Sequence, residues 1–360
     1  MASLKEIKGR IASVASTLKI TSAMKLVASA KLRKAQQAIG NMLPYEKHLH
    51  RILVDAMASV AVSDGAGDAG RVSEPGRVHP RFAAAEYGLS PAARPVVSNQ
   101  MRDNGLSSDA SSALAAAGPL LLDSRPVHRV AIVAFSSNSS LCGAFNSNAI
   151  KETLSLIKEY KDSGLDEKDI TVYSVGRKMN EAMRKAGFVS PADYSRMADS
   201  PSYEAASALA QELMDGFLKG CFDKVELVYN HFKSTASQVV TRQAYLPLDL
   251  ASEQPSLNVS KNPDVFEEEF PRPKNPEDLI IEPSPKKLVE DLLPKVTRLR
   301  VYTTLLDSNA AEHAARTVAM QTATDNGNDL LEELTLEYNK GRQQKITSEI
   351  LDIVGGSFNQ

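Results

Sequence analysis

Gly65-Ala-Gly67-Asp-Ala-Gly70 is a literal G-x-G-x-x-G, the pattern that cradles a pyrophosphate when it joins a strand to a helix. Here it follows a helical pattern, and Glu74-Pro75-Gly76 comes after it, so it reads as a flexible turn. No G-x-x-x-x-G-K-[ST] occurs anywhere in the chain. The polar turn Ser136–Asn146 could offer backbone donors to an anion, but it holds one glycine and reads as the start of a helix. The six histidines, His48, His50, His79, His128, His231 and His313, form no H-E-x-x-H and no Cys/His ligand cluster. His313 falls on an apolar seam, where a hydrogen-bonded interface residue is expected. Cys142 has no acid–base partner nearby and reads as a small buried residue. Catalytic, cofactor and metal sites are therefore all expected to be absent. One charge feature does stand out. Between Ile7 and Tyr45 the bases Lys8, Arg10, Lys19, Lys25, Lys31, Arg33 and Lys34 meet no acid at all. Without i,i+4 partners on their own helix, such cations point to acids on another chain. Nucleic acid is the rival anion, weakened by the near-neutral chain and the missing aromatic platform.

The elements that must position these residues begin with a long helix. In steps of three and four from Leu4, the positions Ile7, Ile11, Val14, Leu18, Thr21, Lys25, Ala28, Leu32, Ala35, Ile39 and Met42 follow a coiled-coil seam. At Thr21 and Lys25 the apolar stripe is expected to step aside to Ile20, Met24 and Val27. After Pro44, which should kink or restart the helix, Leu49, Leu53, Ala56 and Val60 continue it. The other end of the chain answers with Val289, Leu292, Val296, Leu299, Thr303, Leu306, Ala310, His313, Thr317, Met320, Thr324, Gly327, Leu331, Leu334 and Tyr338. A kink or restart is expected at Pro294. Beyond Tyr338 the stripe changes to Ile346, Ile350 and Ile353, and Gly355-Gly356 is expected to close the helix. Two long helices at opposite chain ends most simply pair as an antiparallel coiled coil.

Between them, residues 128–252 alternate strands and helices: Val130–Phe135, Ile170–Val175, Val225–Phe232 and Gln238–Leu246 as strands, with helices over Asn146–Tyr160, Arg177–Ala186 and Tyr203–Leu218. This predicts a small, largely parallel, Rossmann-like α/β domain. Residues 62–127 are rich in Gly, Pro, Ser and Ala and read as an irregular insertion, with a helical turn or two at Leu114–Leu122. Residues 253–285 carry seven prolines and eight acids against three bases, an extended acidic connector. The map is thus helix 1–61, insertion 62–127, α/β domain 128–252, connector 253–285 and helix 286–360. The 360 residues carry 42 bases against 44 acids and a net charge of −2, which excludes a binder relying on overall basicity. There is no secretory h-region and no apolar run long enough to span a membrane. Two cysteines fit a reducing compartment.

These residues carry a resemblance. Lys19-Ile-Thr-Ser-Ala-Met-Lys-Leu-Val-Ala-Ser-Ala-Lys-Leu-Arg-Lys-Ala-Gln36 resembles the N-terminal helix of the γ subunits of F-type ATP synthases. Glu312-His-Ala-Ala-Arg316, Ala319-Met320, Ala323-Thr-Asp-Asn326, Tyr338-Asn-Lys-Gly-Arg-Gln343 and Ile346-Thr-Ser-Glu-Ile-Leu-Asp352 resemble the C-terminal helix. Leu141-Cys-Gly143 with Asn146 is similar to the family's first strand–helix turn. The resemblance implies a non-catalytic rotor shaft in a complex that couples proton or Na+ transport to ATP synthesis or hydrolysis. Its implied partners are the α3β3 hexamer, the ε subunit and the c-ring, with no nucleic acid. It implies peripheral attachment on the cytoplasmic face of a bacterial cell membrane. Implied partner contacts are Met24, Lys25, Lys31, Arg33, Arg342, Gln343, Thr347 and Glu349. Departures from the family pattern include Gly356-Ser357 for Gly-Ala, the lack of a glycine before Leu141, and longer insertions. Neither insertion contains cysteine, so no thiol switch is inferred. Two other classes stay open on the residues alone: a nucleotide- or NAD-dependent α/β enzyme with a coiled-coil arm, and a static coiled-coil tether.

Overall fold

A computed structural model describes residues 3–65, 121–248 and 280–357. Two helices dominate, α1 (Leu4–Gly65) and α6 (Pro285–Ser357). At 1.5 Å per residue, their 62 and 73 residues give lengths of about 93 and 110 Å. Between them lie β1 (Val130–Phe135), α2 (Phe145–Asp162), β2 (Ile170–Val175), α3 (Arg177–Lys185), α4 (Ser195–Asp199), α5 (Tyr203–Leu218), β3 (Lys224–Phe232) and β4 (Gln238–Leu246). The short α4 has no clear periodicity and was not legible in the sequence. Most of the glycine pattern after Gly65, most of the 62–127 segment and most of the 253–285 segment lie outside the described residues.

The helices pair antiparallel. Thr303 meets Glu46, Thr324 meets Thr21, Gly327 faces Leu18 and Gly341 faces Leu4, so α1 descends as α6 rises. Every seam position from Leu4 to Met42 and from Val289 to Tyr338 is buried or half-buried. The sideways step at Thr21 does not occur, because Ile20 and Val27 are each 58 % exposed. Thr21 stays on the seam and accepts a hydrogen bond from the Thr324 hydroxyl at 3.0 Å. Pairing the two hydroxyls satisfies both, so the register need not shift. Gly327 is needed for close approach: a Cβ there would stand 2.7 Å from Leu18 Cδ2.

Three local expectations are corrected. The restart expected as the alternative to a kink does not occur at Pro44 or Pro294, and both helices continue through the proline. Each proline removes one helical hydrogen bond, but buried residues on either side, Ile39 and Leu49 on α1 and Leu293 and Val296 on α6, hold the helix in place. Gly355-Gly356 does not close α6, which continues to Ser357. Glycine permits a left-handed cap without imposing one.

The sheet has the order β2-β1-β3-β4, with β1 parallel to β2 and β3, and β4 antiparallel to β3. The central strand β1 reads Val-Ala-Ile-Val-Ala-Phe and is buried throughout, as a strand covered on both faces must be. One face takes Ile132 and Val172 against α2 and α3, through Leu156, Ile157, Met179 and Met183. The other takes Val133, Phe135 and Leu227 against α5 and against the lower coiled coil, through Leu53, Ala56, Leu293 and Val296. The base of the helix pair is therefore a layer of the α/β domain, and only its upper part projects. A third cluster joins Leu32, Ala35 and Ile39 of α1 and Ala310, Ala311 and Ala314 of α6 to Cys142 and Phe145 after β1.

Candidate functional site

Among the described residues, none packs over the outer end of α6. Leu4, the first residue of α1, packs beside Gly341, so the last 16 residues of α6 overhang its partner by about 24 Å. Every described side chain from Arg342 to Val354 is exposed. Ile346 is 47 %, Ile350 54 %, Leu351 64 % and Ile353 72 % exposed, an apolar surface that no described residue covers. Beside it stand the predicted contacts Arg342, Gln343, Thr347 and Glu349. Thr347 donates to the Gln343 carbonyl at 2.9 Å, and Glu349 stands 3.7 Å from Lys345, both contacts within the helix. The structure thus gathers four predicted contacts on one free helical end, with the isoleucines one turn apart among them.

The other four lie lower, on α1. Lys31 and Arg33 are exposed, whereas Met24 and Lys25 are half-buried against the seam. Among the described residues none of the seven cations between Ile7 and Tyr45 forms an ion pair, and all but Lys25 face solvent. Lys31 does reach its own chain through its field. Its charge helps hold the buried carboxyl of Glu312 down, against the desolvation that raises it, and depresses His313. The two groups of contacts do not meet; they mark two levels along one rod. An 18-residue window within Leu4–Val60 is apolar enough by composition to cross a membrane, at a mean hydropathy of 1.2. That helix is seamed against α6 along its length.

In an open α/β sheet a ligand binds beyond the strand C-termini, where the connections diverge. Here the chain itself occupies that ground. At the start of α3, Arg177 N–H donates to Asn138 Oδ1 at 2.8 Å, Lys178 N–H to the Ser137 carbonyl at 3.2 Å and Met179 N–H to Ser136 Oγ at 2.8 Å. These are the orphan donors a phosphate would use. Asn146 Oδ1 accepts from Ser137 N–H at 3.0 Å and pins the turn, so the Ser136–Asn146 segment is a helix start. From α6, Arg316 donates to the Ser140 carbonyl at 2.6 Å and to Ser139 Oγ at 2.8 Å while pairing with Glu312. What remains is a cavity of about 10 Å³ between Phe135, Ser136, Val175, Leu305, Ser308 and Glu312, room for one water at most. Cys142 is buried, as the sequence suggested. His313 is not the hydrogen-bonded residue expected: its Nδ1 is buried without a partner. Burial, then the charges of Lys31 and Arg316, push it down to about 4, so it is neutral on the seam. Glu312 and Arg316 stand in the C-terminal motif, but the clamp that Arg316 puts on the turn cannot be read from spacing. No group of three His, Cys, Asp or Glu able to hold a metal occurs among the described residues.

The family model described as ATP synthase matches residues 3–358. The ATP synthase gamma chain of Phocaeicola vulgatus is 47 % identical over 358 residues, covering 99 % of this chain and 100 % of the relative. That of Christiangramia forsetii is 36 % identical over 358 residues, covering 99 % and 98 %. Among solved structures, a chain of the Euglena gracilis mitochondrial ATP synthase (OSCP/F1/c-ring) aligns at a TM-score of 0.52 and 19 % identity, over 99 % of this chain and 93 % of that one. That similarity bears on the fold.

Proposed function

The chain belongs to the ATP synthase family as a gamma chain, and from that membership we propose that it works as the central shaft of a rotary ATP synthase, turning inside an α3β3 hexamer. The observation that carries this reading is the bare end of α6. An isolated protein gains nothing from holding Ile346, Ile350 and Ile353 in water, where no described residue packs on them. A sleeve of α and β subunits would cover them and accept the Arg342 fork and the Gln343 amide. The exposed cations Lys31 and Arg33, with Lys25 and Met24 beside them, would face acidic loops of β at a lower level. At the other end the α/β domain would rest with ε on the c-ring, giving peripheral attachment at the cytoplasmic face of the membrane.

The mechanism follows from shape. Two helices of unequal length, one with bare sides, make a rod with no threefold symmetry inside a threefold sleeve. Each orientation then favours a different β site, and affinity and rotation are reciprocally linked. Protons or Na+ crossing the c-ring would turn the foot, and the coiled coil would carry that torque upward. Nucleotide chemistry would stay on β, a division supported by the engaged donors at Arg177, Lys178 and Met179. Arg342→Ala in the assembled complex tests the reading. Removing one partner of a hydrogen-bonded charge pair in a partly dry site costs about 2–5 kcal/mol, so coupled ATP turnover and ion pumping should fall. The circular dichroism of the free chain should not change. Wild-type turnover and pumping would take Arg342 out of the sleeve contact.

A further inference from the structure

One group of buried charges lies away from the tip, where α1, α6 and the sheet converge. Glu46 of α1 accepts a hydrogen bond from Thr303 Oγ1 at 3.3 Å through one carboxyl oxygen, while its Oε2 is buried with no partner. One turn further along α6, Asp307 is 1 % exposed and receives Phe232 N–H at 2.9 Å and His231 Nδ1 at 2.7 Å, both from β3. Arg300, one turn before Thr303, donates to the Ala244 carbonyl of β4 at 3.1 Å. Both long helices and two strands of the sheet contribute to this cluster.

We propose that this junction is a proton-sensitive latch, closed while Glu46 and His231 carry protons and loosened when they lose them. The groups facing Glu46 are Arg300 and Asp307 from α6 and Lys47 from its own helix. The groups facing His231 are Asp307 and Lys233. His50, one turn from Glu46, is shifted the opposite way, below 6.5, by burial and then by the charge of Arg300. With its proton, Glu46 is a neutral group beside Thr303. Without it, a second buried carboxylate stands near Asp307, with Oε2 unsatisfied and only Arg300 and Lys47 opposing the repulsion. Protonated His231 forms an ion pair with Asp307; neutral His231 keeps at most the hydrogen bond, without the opposite charge.

Burial raises Glu46 from 4.5 to about 7, against the Thr303 bond and the Arg300 charge. Its bond to Asp307 raises His231 above 6.5. Both folded-state values lie above the unfolded ones, so both contributions are full at low pH. Each is lost as pH rises, for Glu46 between 4.5 and about 7 and for His231 above 6.5. The two titrations loosen the latch in the same direction.

The consequence for torque, a firmer foot-to-shaft joint in acid than in alkali, rests on the shaft reading; the test below does not, so the two can fail separately. Thermal melts of the full chain are compared for wild type and Glu46→Gln at about pH 4 and about pH 8.5. Because Gln stays neutral, the variant should melt close to wild type in acid and above it in alkali. His231→Gln should lower the acid melting point and flatten the remaining slope. Should Glu46→Gln not fold, amide exchange of wild-type residues 44–56, corrected for the chemical rate, reads the same latch and should quicken in alkali. Parallel wild-type and Glu46→Gln melting profiles, or protection of that segment independent of pH, would overturn the proposal.

Discussion

Two stretches of α6 stand as opposites. From Leu299 to Arg316 every residue is buried or half-buried, although the stretch includes Arg300, Thr303, Asp307, Glu312 and Arg316. From Arg342 to Val354 every described side chain is exposed, although the stretch includes Ile346, Ile350, Leu351 and Ile353. The waist is more polar than its burial suggests, and the tip more apolar than its exposure suggests. In the waist the polar groups tie α6 to its own chain, through Ser139, Ser140, His231 and Ala244. At the tip the polar contacts of Thr347 and Glu349 stay within the helix. Mismatch between composition and environment thus has two meanings: internal ties in one place, an absent partner in the other.

The comparison breaks first at Arg316. Arg316→Ala leaves Glu312 buried without its cation, which should cost about 3–5 kcal/mol of stability. Denaturant unfolding of the full chain checks this, and a loss below about 1 kcal/mol would mean the waist is not sealed. At the tip, the pair Ile346→Ser and Ile350→Ser should leave the free chain within about 0.5 kcal/mol of wild type. The same pair should weaken assembly with α and β by about 1.5–3 kcal/mol for each isoleucine that becomes fully covered. Titrating the chain into α3β3 measures that loss directly. Between the two stretches, Gly327→Val should cost about 1–3 kcal/mol, because the seam has no room beside Leu18. The smallest effect belongs to Thr21→Val, which removes one hydroxyl of a seam pair and should cost about 0.5–1.5 kcal/mol.

Much of this architecture was legible because periodicity is a local signal. The seam positions on both helices, the four strands and the helices at Arg177 and Tyr203 follow from residue spacing. What was not legible depends on the partner helix. Thr21 looks like a seam defect until Thr324 is placed opposite it, and His313 offers no sign that its Nδ1 will lack an acceptor. The prolines illustrate the same point, since packing on Leu49 and Leu293 overrides a local helix breaker. The exposed ends of the predicted contact list could be placed only by comparing helix lengths. Glu46 carried no sequence signal at all; one acid after a run of bases looks like surface until Thr303 and Asp307 close over it.

The central claim is that this rod turns. Cys221 is exposed and Cys142 is buried, so a bead or fluorophore can be attached at the foot through the native thiol. With α3β3 fixed to a surface and ATP supplied, single-molecule imaging should show the label rotating in one direction, in steps set by the three β sites. Rotation should stop when the Arg342 level is cross-linked to β. Sustained ATP hydrolysis by the assembled complex with a stationary label, or with a cross-link that leaves turnover unchanged, would contradict the account.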